Sequence, residues 1–210
     1  MRVLVPFDAD RPKTRLAEVL DGAERRAFAR AMLRDVLAAV RGAGEDPDVL
    51  ATAPVEWAGE PPDAPVTVDD RPLTAAVNAA LDDAGRPLGV VMADLPLLTP
   101  AGVERARAAT GDVVVAAGRG GGTNALVVRH PDFRVDYHGA SYLDHLRAAR
   151  SAGASVRELD SRRFATDVDE PADLVEVLVH GDGAAVEWLR DAGFRLDAGD
   201  GRVDVVRARG

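Results

Sequence analysis

Apolar residues follow two rhythms along this chain. Continuous apolar runs at 2–7 (RVLVPF), 48–53 (DVLATA), 89–94 (GVVMAD), 112–118 (DVVVAAG) and 124–130 (NALVVRH) predict strands buried on both faces. Shorter runs at 66–70 and 155–160 predict two more. Between them lie stretches with helical spacing. In the longest, Phe28, Met32, Val36 and Val40 recur every fourth residue, flanked by Leu33 and Leu37, so one face is apolar. Asp21 and Glu24 have the spacing of a capping box, and Gly42 and Gly44 supply a stop. Further helices are predicted over 72–85, from Pro100 onward, over 141–153, and in EPADLVEVLVHG and AAVEWLRDAG. The stretch 194–210 predicts a hairpin turning at GDG, 199–201. Apolar strands alternating with amphipathic helices imply a three-layer α/β fold with a mostly parallel sheet. Residues 1–210 are expected to form one domain, with 180–210 as a C-terminal helix–hairpin appendage.

Hydrophobic residues make up 47% of the 210, enough for a sizeable core. No run approaches the roughly 18 apolar residues of a membrane span, and the apolar start is too short for a signal peptide. With zero cysteines, disulfides and thiolate metal sites are excluded. A soluble, cytoplasmic protein is expected. The net charge of −9 argues against a nucleic-acid partner, which requires a basic face. Spread-out acidity suggests either a surface adapted to high salt or the amino-acid bias of a GC-rich genome. Of the 26 basic residues only Lys13 is lysine.

Candidate chemistry gathers at predicted strand ends, where such sheets bind ligands. In VVMADLP, Asp94 ends a strand and suits a hard divalent ion such as Mg²⁺; the alternative, a helix cap, is weakened because Thr99-Pro100 can cap the next helix. TDVDEP adds Asp167 and Asp169. On an extended chain these two point opposite ways, so one can bind metal while the other caps the following helix, and a role for both as caps stays open. DRPKTRL places Arg11, Lys13 and Arg15 in a short loop suited to a polyphosphate, or simply solvated. Retention of one lysine favours the former, since an ammonium and a guanidinium are not interchangeable at a tight phosphate site. GRGGGTNAL offers backbone N–H groups and the Thr123 hydroxyl to an anion. YHGASYLDH offers Gly139, Ser141 and two histidines ahead of a helix; Ser141 as a plain N-cap is equally compatible. Four histidines and no cysteine argue against zinc, and no G-x-S-x-G elbow supports a serine hydrolase.

Taken in order, VPF…RPKTRLAEVL, ADLPLLTP, GGGTNAL, HGASYLDH and TDVDEPADL resemble the 2-phospho-L-lactate guanylyltransferase family of coenzyme F420 biosynthesis over roughly residues 1–178. The resemblance implies a Rossmann-like, glycosyltransferase-A-type nucleotidyltransferase fold. The acidic, arginine-rich composition fits a haloarchaeal member. The implied reaction joins GTP to (2S)-2-phospholactate, giving lactyl-2-diphospho-5′-guanosine and pyrophosphate with Mg²⁺. The implied roles put Lys13 and Arg15 at the triphosphate as catalytic, nucleotide-binding groups, with Asp94 and Asp169 on the metal and Asp167 as the alternative. Thr123, Asn124, Gly139 and Ser141 fall on the acceptor phosphate, and Asn78 loosely on the nucleotide. A homodimer is also implied. The sequence departs from the family pattern at Phe7-Asp8, where a second lysine is usual, at His138 and Gly139, and at Glu170. Rival readings are the same transfer to phosphoenolpyruvate, 3-phosphoglycerate, a sugar phosphate or the molybdenum cofactor, or a non-catalytic nucleotide-binding module.

Overall fold

A computed structural model describes residues 1–57, 59–84, 86–199, 201 and 203–208. The strands are β1 (Arg2–Phe7), β2 (Asp46–Ala51), β3 (Val66–Val68), β4 (Leu88–Val91), β5 (Val113–Ala117), β6 (Thr123–Val128), β7 (Val156–Glu158), β8 (Phe194–Asp197) and β9 (Asp204–Arg207). The helices are α1 (Gly22–Gly42), α2 (Leu73–Asp83), α3 (Pro100–Ala108), α4 (Ser141–Ser151), α5 (Arg162–Ala165), α6 (Leu174–His180) and α7 (Ala184–Asp191). A 3-10 turn spans Thr14–Leu16, and another, Pro171–Asp173, leads into α6.

β1 to β7 form one sheet in the order β3-β2-β1-β4-β6-β5-β7, and β8-β9 form a separate ribbon. All its neighbouring pairs are parallel except the two made by β6, which runs against both β4 and β5. The sheet is therefore mixed and mostly parallel, as the alternating pattern implies. Apolar runs do not reveal direction, so the reversal of β6 follows only from its tight connection to β5. Among the described residues α1, α3, α5, α6 and α7 pack on one face, and α2 and α4 on the other.

The long helix forms where its periodicity places it. Phe28, Met32, Leu33, Val36, Leu37 and Val40 are all buried. Asp21 Oδ1 accepts from the amides of Ala23 and Glu24, while Glu24 Oε2 accepts from the amide of Asp21, which completes the capping box. Thr99 caps α3 with Pro100 at its first turn. The cap of α7 is supplied from another element: Asp35 of α1 accepts from the amides of Ala184 (2.6 Å) and Ala185 (2.9 Å). Phe28 also meets Trp188, with ring centroids 5.3 Å apart, so α7 is seated on α1. The predicted helix end at Gly85 and Asp200 of the predicted GDG turn lie outside the described residues.

Two expectations are corrected. The strand expected over 89–94 runs over Leu88–Val91; Met92 still donates its amide to β6, and Ala93 and Asp94 lie beyond the strand. Neither Asp167 nor Asp169 caps the helix after TDVDEP; Glu170 and Asp173 form a reciprocal capping pair there instead.

Candidate active site

The strand order reverses between β1 and β4, with β2 on one side of β1 and β4 on the other. The carboxyl ends of these strands open into a crevice, the usual ligand position in such sheets. It holds about 310 Å³ and is lined by Asp8, Arg11, Lys13, Arg15, Asp94 and Asp169 among others.

Lys13 reaches this crevice through an unusual backbone. After β1, Asp8 Oδ1 accepts from the amides of Asp10 and Arg11 and folds the loop back. Lys13 then sits in the left-handed region (φ 53°, ψ 44°), and among the described residues no other non-glycine has a positive φ. The following turn plants Leu16 in the core. The lysine is thereby turned inward, with its side chain only 11% exposed, which counts against the alternative of a solvated loop cation. Its Nζ donates to Asp94 Oδ2 (2.5 Å) and Asp169 Oδ1 (2.9 Å). Arg15 donates to Asp169 Oδ2 from 3.3 Å.

Two backbone contacts bring the acids together. Because β6 is antiparallel to β4, its first residues lie beside the end of β4, and the Met92 amide donates to the Asn124 carbonyl (2.9 Å). The Val168 amide donates to the Asp94 carbonyl (3.1 Å), which lays TDVDEP alongside ADLP. The flanking acids then point apart, as an extended chain requires. Asp169 faces Lys13, and Asp167 accepts from Asn124 Nδ2 at 3.0 Å. Burial lowers the pKa of Lys13, but Asp94 and Asp169 outweigh it and leave it raised. Burial likewise pushes Asp169 up, yet Lys13 and Arg15 hold it below the usual carboxylate range. Asp167 lacks such a cation and is raised, by burial first and by Asp94 and Asp169 beside it.

Asn124 belongs to the framework of this cluster. Its buried amide also donates to the Phe164 carbonyl (2.8 Å). A Cβ at Gly118 would stand 2.8 Å from Asn124 Oδ1, so the first glycine of GRGGGT leaves room for that amide.

Thr123 and Ser141 form a second, adjacent group. The Thr123 amide donates to Ser141 Oγ (3.0 Å), and both side chains are buried. Ser141 is the first residue of α4 and makes no cap bond; Ala140 is the cap position. Thr123 Oγ1 lies 2.8 Å from His145 Nδ1. His145 is one of the two histidines of YHGASYLDH; it follows Ser141 by four residues, a spacing that puts both on one face of α4. Gly139 is exposed with φ +46° in the loop before α4. Asn78 is not joined to either group. Its side chain donates to the Val135 carbonyl (3.0 Å) and accepts from the Val135 amide (2.9 Å), tying α2 to that segment.

The residues present fit a hard divalent cation. Asp94 Oδ1 is buried without a hydrogen-bond partner among the described residues. Asp94 and Asp169 already share one cation, the Lys13 ammonium. Carboxylate oxygens are the donor set such ions prefer. Among the described residues no three acidic, histidine or cysteine side chains gather closely enough to enclose an ion alone, so substrate oxygens and water would complete its shell.

Comparison with known proteins agrees with this geometry. The family described as "Guanylyl transferase CofC like" matches residues 1–208. Similar relatives include the 2-phospho-L-lactate guanylyltransferases of Haloferax volcanii, 63% identical over all of both chains, and of Halomicrobium mukohataei, 62% identical over 99% of this chain and 100% of that one. Among solved structures, a putative nucleotide-diphospho-sugar transferase from Desulfovibrio desulfuricans shares the fold with a TM-score of 0.71 at 18% identity, covering 90% of this chain and 94% of its own. A nucleotidyl transferase from Methanothermobacter has a TM-score of 0.61 at 17% identity, covering 90% and 98%. Among the described residues no helix is long and apolar enough to cross a membrane. With its fold shared and nearly all of its length matched, the chain belongs to the CofC-like guanylyltransferase family.

Proposed function

We propose that this chain transfers the guanylyl group of GTP to (2S)-2-phospholactate, forming lactyl-2-diphospho-5′-guanosine and pyrophosphate, in coenzyme F420 biosynthesis. The observation that carries this reading is the convergence of Lys13, Asp94 and Asp169 in the β1/β4 crevice. This occurs in a chain about three-fifths identical to proteins that bear that enzyme's name.

An oxygen of the phospholactate phosphate attacks the α-phosphorus of GTP. The new P–O bond forms as the bond to the β-phosphate oxygen breaks, and its electron pair leaves with pyrophosphate. The nucleophile is already anionic, so no general base is required. What the protein must supply is positioning and charge neutralisation. Lys13, a flexible point charge held at the mouth of β1, neutralises the triphosphate together with Arg15. Thr123 and Ser141 hold the acceptor phosphate beside the end of β4, with Gly139 in the loop that leads into Ser141. Asn124 fixes the orientation of Asp167. Mg²⁺, when bound, would be held by Asp94 and Asp169, with Asp167 the alternative to Asp169, and would neutralise charge on the phosphate oxygens.

A pyrophosphate-release screen tests the proposal. GTP, ATP, CTP and UTP are each paired with phospholactate, phosphoenolpyruvate, 3-phosphoglycerate and sugar phosphates in concentrated KCl. Release is expected with GTP and phospholactate above every other pair. A larger kcat/KM with another acceptor would reassign the substrate, and nucleotide binding without release in any pair would indicate a non-catalytic module.

A further inference from the structure

His145 is the most enclosed polar side chain near the crevice. It is 0% exposed, with Tyr137 edge-on at 4.9 Å between ring centroids and Phe133 at 6.0 Å. Both ring nitrogens are engaged. The Asp136 amide donates to Nε2 (3.0 Å), so Nε2 presents its lone pair. The neutral ring must then carry its proton on Nδ1, 2.8 Å from Thr123 Oγ1. Burial supports the neutral form, lowering the imidazole pKa to about 4 against the weaker pull of Asp136 and Asp144.

This tautomer fixes the polarity of the adjacent hydroxyls. Thr123 Oγ1 accepts from His145, so its own proton is free to point elsewhere. Ser141 Oγ accepts from the Thr123 amide, which frees its proton in the same way. Among the described residues neither hydroxyl makes a further hydrogen bond. Two buried hydroxyls at the mouth of β6 are thereby biased to donate, a polarity that suits an anion with only lone pairs to offer.

We propose that His145 is a positioning residue for acceptor binding: its Nδ1–H holds the Thr123 hydroxyl as a donor, so that Thr123 and Ser141 together grip the phosphate of the phospho-acid. The inference rests on the assignment of the acceptor phosphate to this pair.

Two substitutions separate the ring nitrogens. Gln at 145 places its amide near the Nε2 position, where it can still accept from Asp136, but it has nothing at Nδ1. Asn places its amide near Nδ1, where it can donate to Thr123, but leaves the Asp136 amide unpaired. Steady-state pyrophosphate release is measured at neutral pH for His145→Gln, His145→Asn, Thr123→Ala and the Thr123→Ala/His145→Gln double variant. Unfolding midpoints are compared in the same buffer. His145→Gln should raise the KM for phospholactate about tenfold with little change in the KM for GTP. His145→Asn should recover most of that loss. In the double variant the two effects should be less than additive, because both remove the same donor.

A merely structural role predicts the opposite pattern: both His145 variants lower the unfolding midpoint and both KM values move together, or the double variant is additive. Should His145→Gln not accumulate as folded protein, folded His145→Asn decides; a phospholactate KM raised as far as in Thr123→Ala overturns the inference. If Thr123→Ala itself leaves that KM unchanged, the acceptor assignment fails and the inference with it. If Thr123→Ala raises it and folded His145→Gln does not, the role of His145 alone is overturned.

Discussion

Lys13 is held by its backbone as firmly as by its charge. A non-glycine residue in the left-handed region is uncommon, and here it aims an ammonium at two carboxylates. Guanidinium is planar and wider, and in this geometry it cannot sit between Asp94 and Asp169 as a point charge. Lys13→Arg should therefore lose about one to two orders of magnitude in kcat/KM, close to the loss in Lys13→Ala. Full activity in the arginine variant would remove Lys13 from the triphosphate. Because the side chain is enclosed, Lys13→Ala should also lower stability, by about 1–2 kcal/mol, since it leaves Asp94 without its cation and Asp169 with Arg15 alone. The sequence marks Lys13 as singular, yet its enclosure is not legible there, because Pro12 signals a turn but a lysine after it does not announce a left-handed backbone. The two aspartates of TDVDEP diverge in the same manner. Asp169→Asn should abolish turnover, because Asp169 faces the shared cation, and Asp167→Asn should cost less, because Asp167 faces Asn124. Parallel kinetics on the two variants check the order; the reverse ranking would exchange their roles.

Between elements, α7 depends on a carboxylate that belongs to α1. Asp35→Ala removes the acceptor for two amides at the start of α7 and should destabilise the fold by about 1–2 kcal/mol. Burial pushes the Asp35 carboxyl up to about 6, although the two amides pull the other way. The folded chain therefore holds this proton more tightly than the unfolded chain between about pH 4 and 6, and the contribution of Asp35 to stability declines as pH rises through that window. The gap in unfolding free energy between wild type and Asp35→Ala should accordingly be wider near pH 4.5 than near pH 7.5. Denaturant titrations at the two values measure it. The helices and most strands are legible from spacing because their apolar faces are long; α1 shows this best, with every fourth residue buried from Phe28 to Val40. Helix α5, at four residues, is too short to show a period, and the direction of β6 leaves no mark in an apolar run. Asn124 was legible as part of a motif but not as the partner of Asp167, since that contact depends on how β6 lies against a segment some forty residues away.

For the whole molecule, 35 acidic residues face 26 basic ones, giving the net charge of −9. Like charges over one surface repel, and salt screens them. The unfolding midpoint should rise as KCl increases from roughly 0.2 M to roughly 2 M. A flat or falling midpoint would point to compositional bias as the source of the acidity. The sheet ties these scales together, since its order of strands brings a lysine from the first loop, an acid from mid-chain and an acid from near residue 170 to one crevice. That this crevice performs guanylyl transfer is most directly tested by quantifying products from GTP and phospholactate with wild type and Asp94→Asn side by side at saturating Mg²⁺. Wild type should yield lactyl-2-diphospho-5′-guanosine and pyrophosphate in equal amounts. Asp94→Asn should yield neither while staying folded. A folded Asp94→Asn enzyme as productive as wild type would contradict the account.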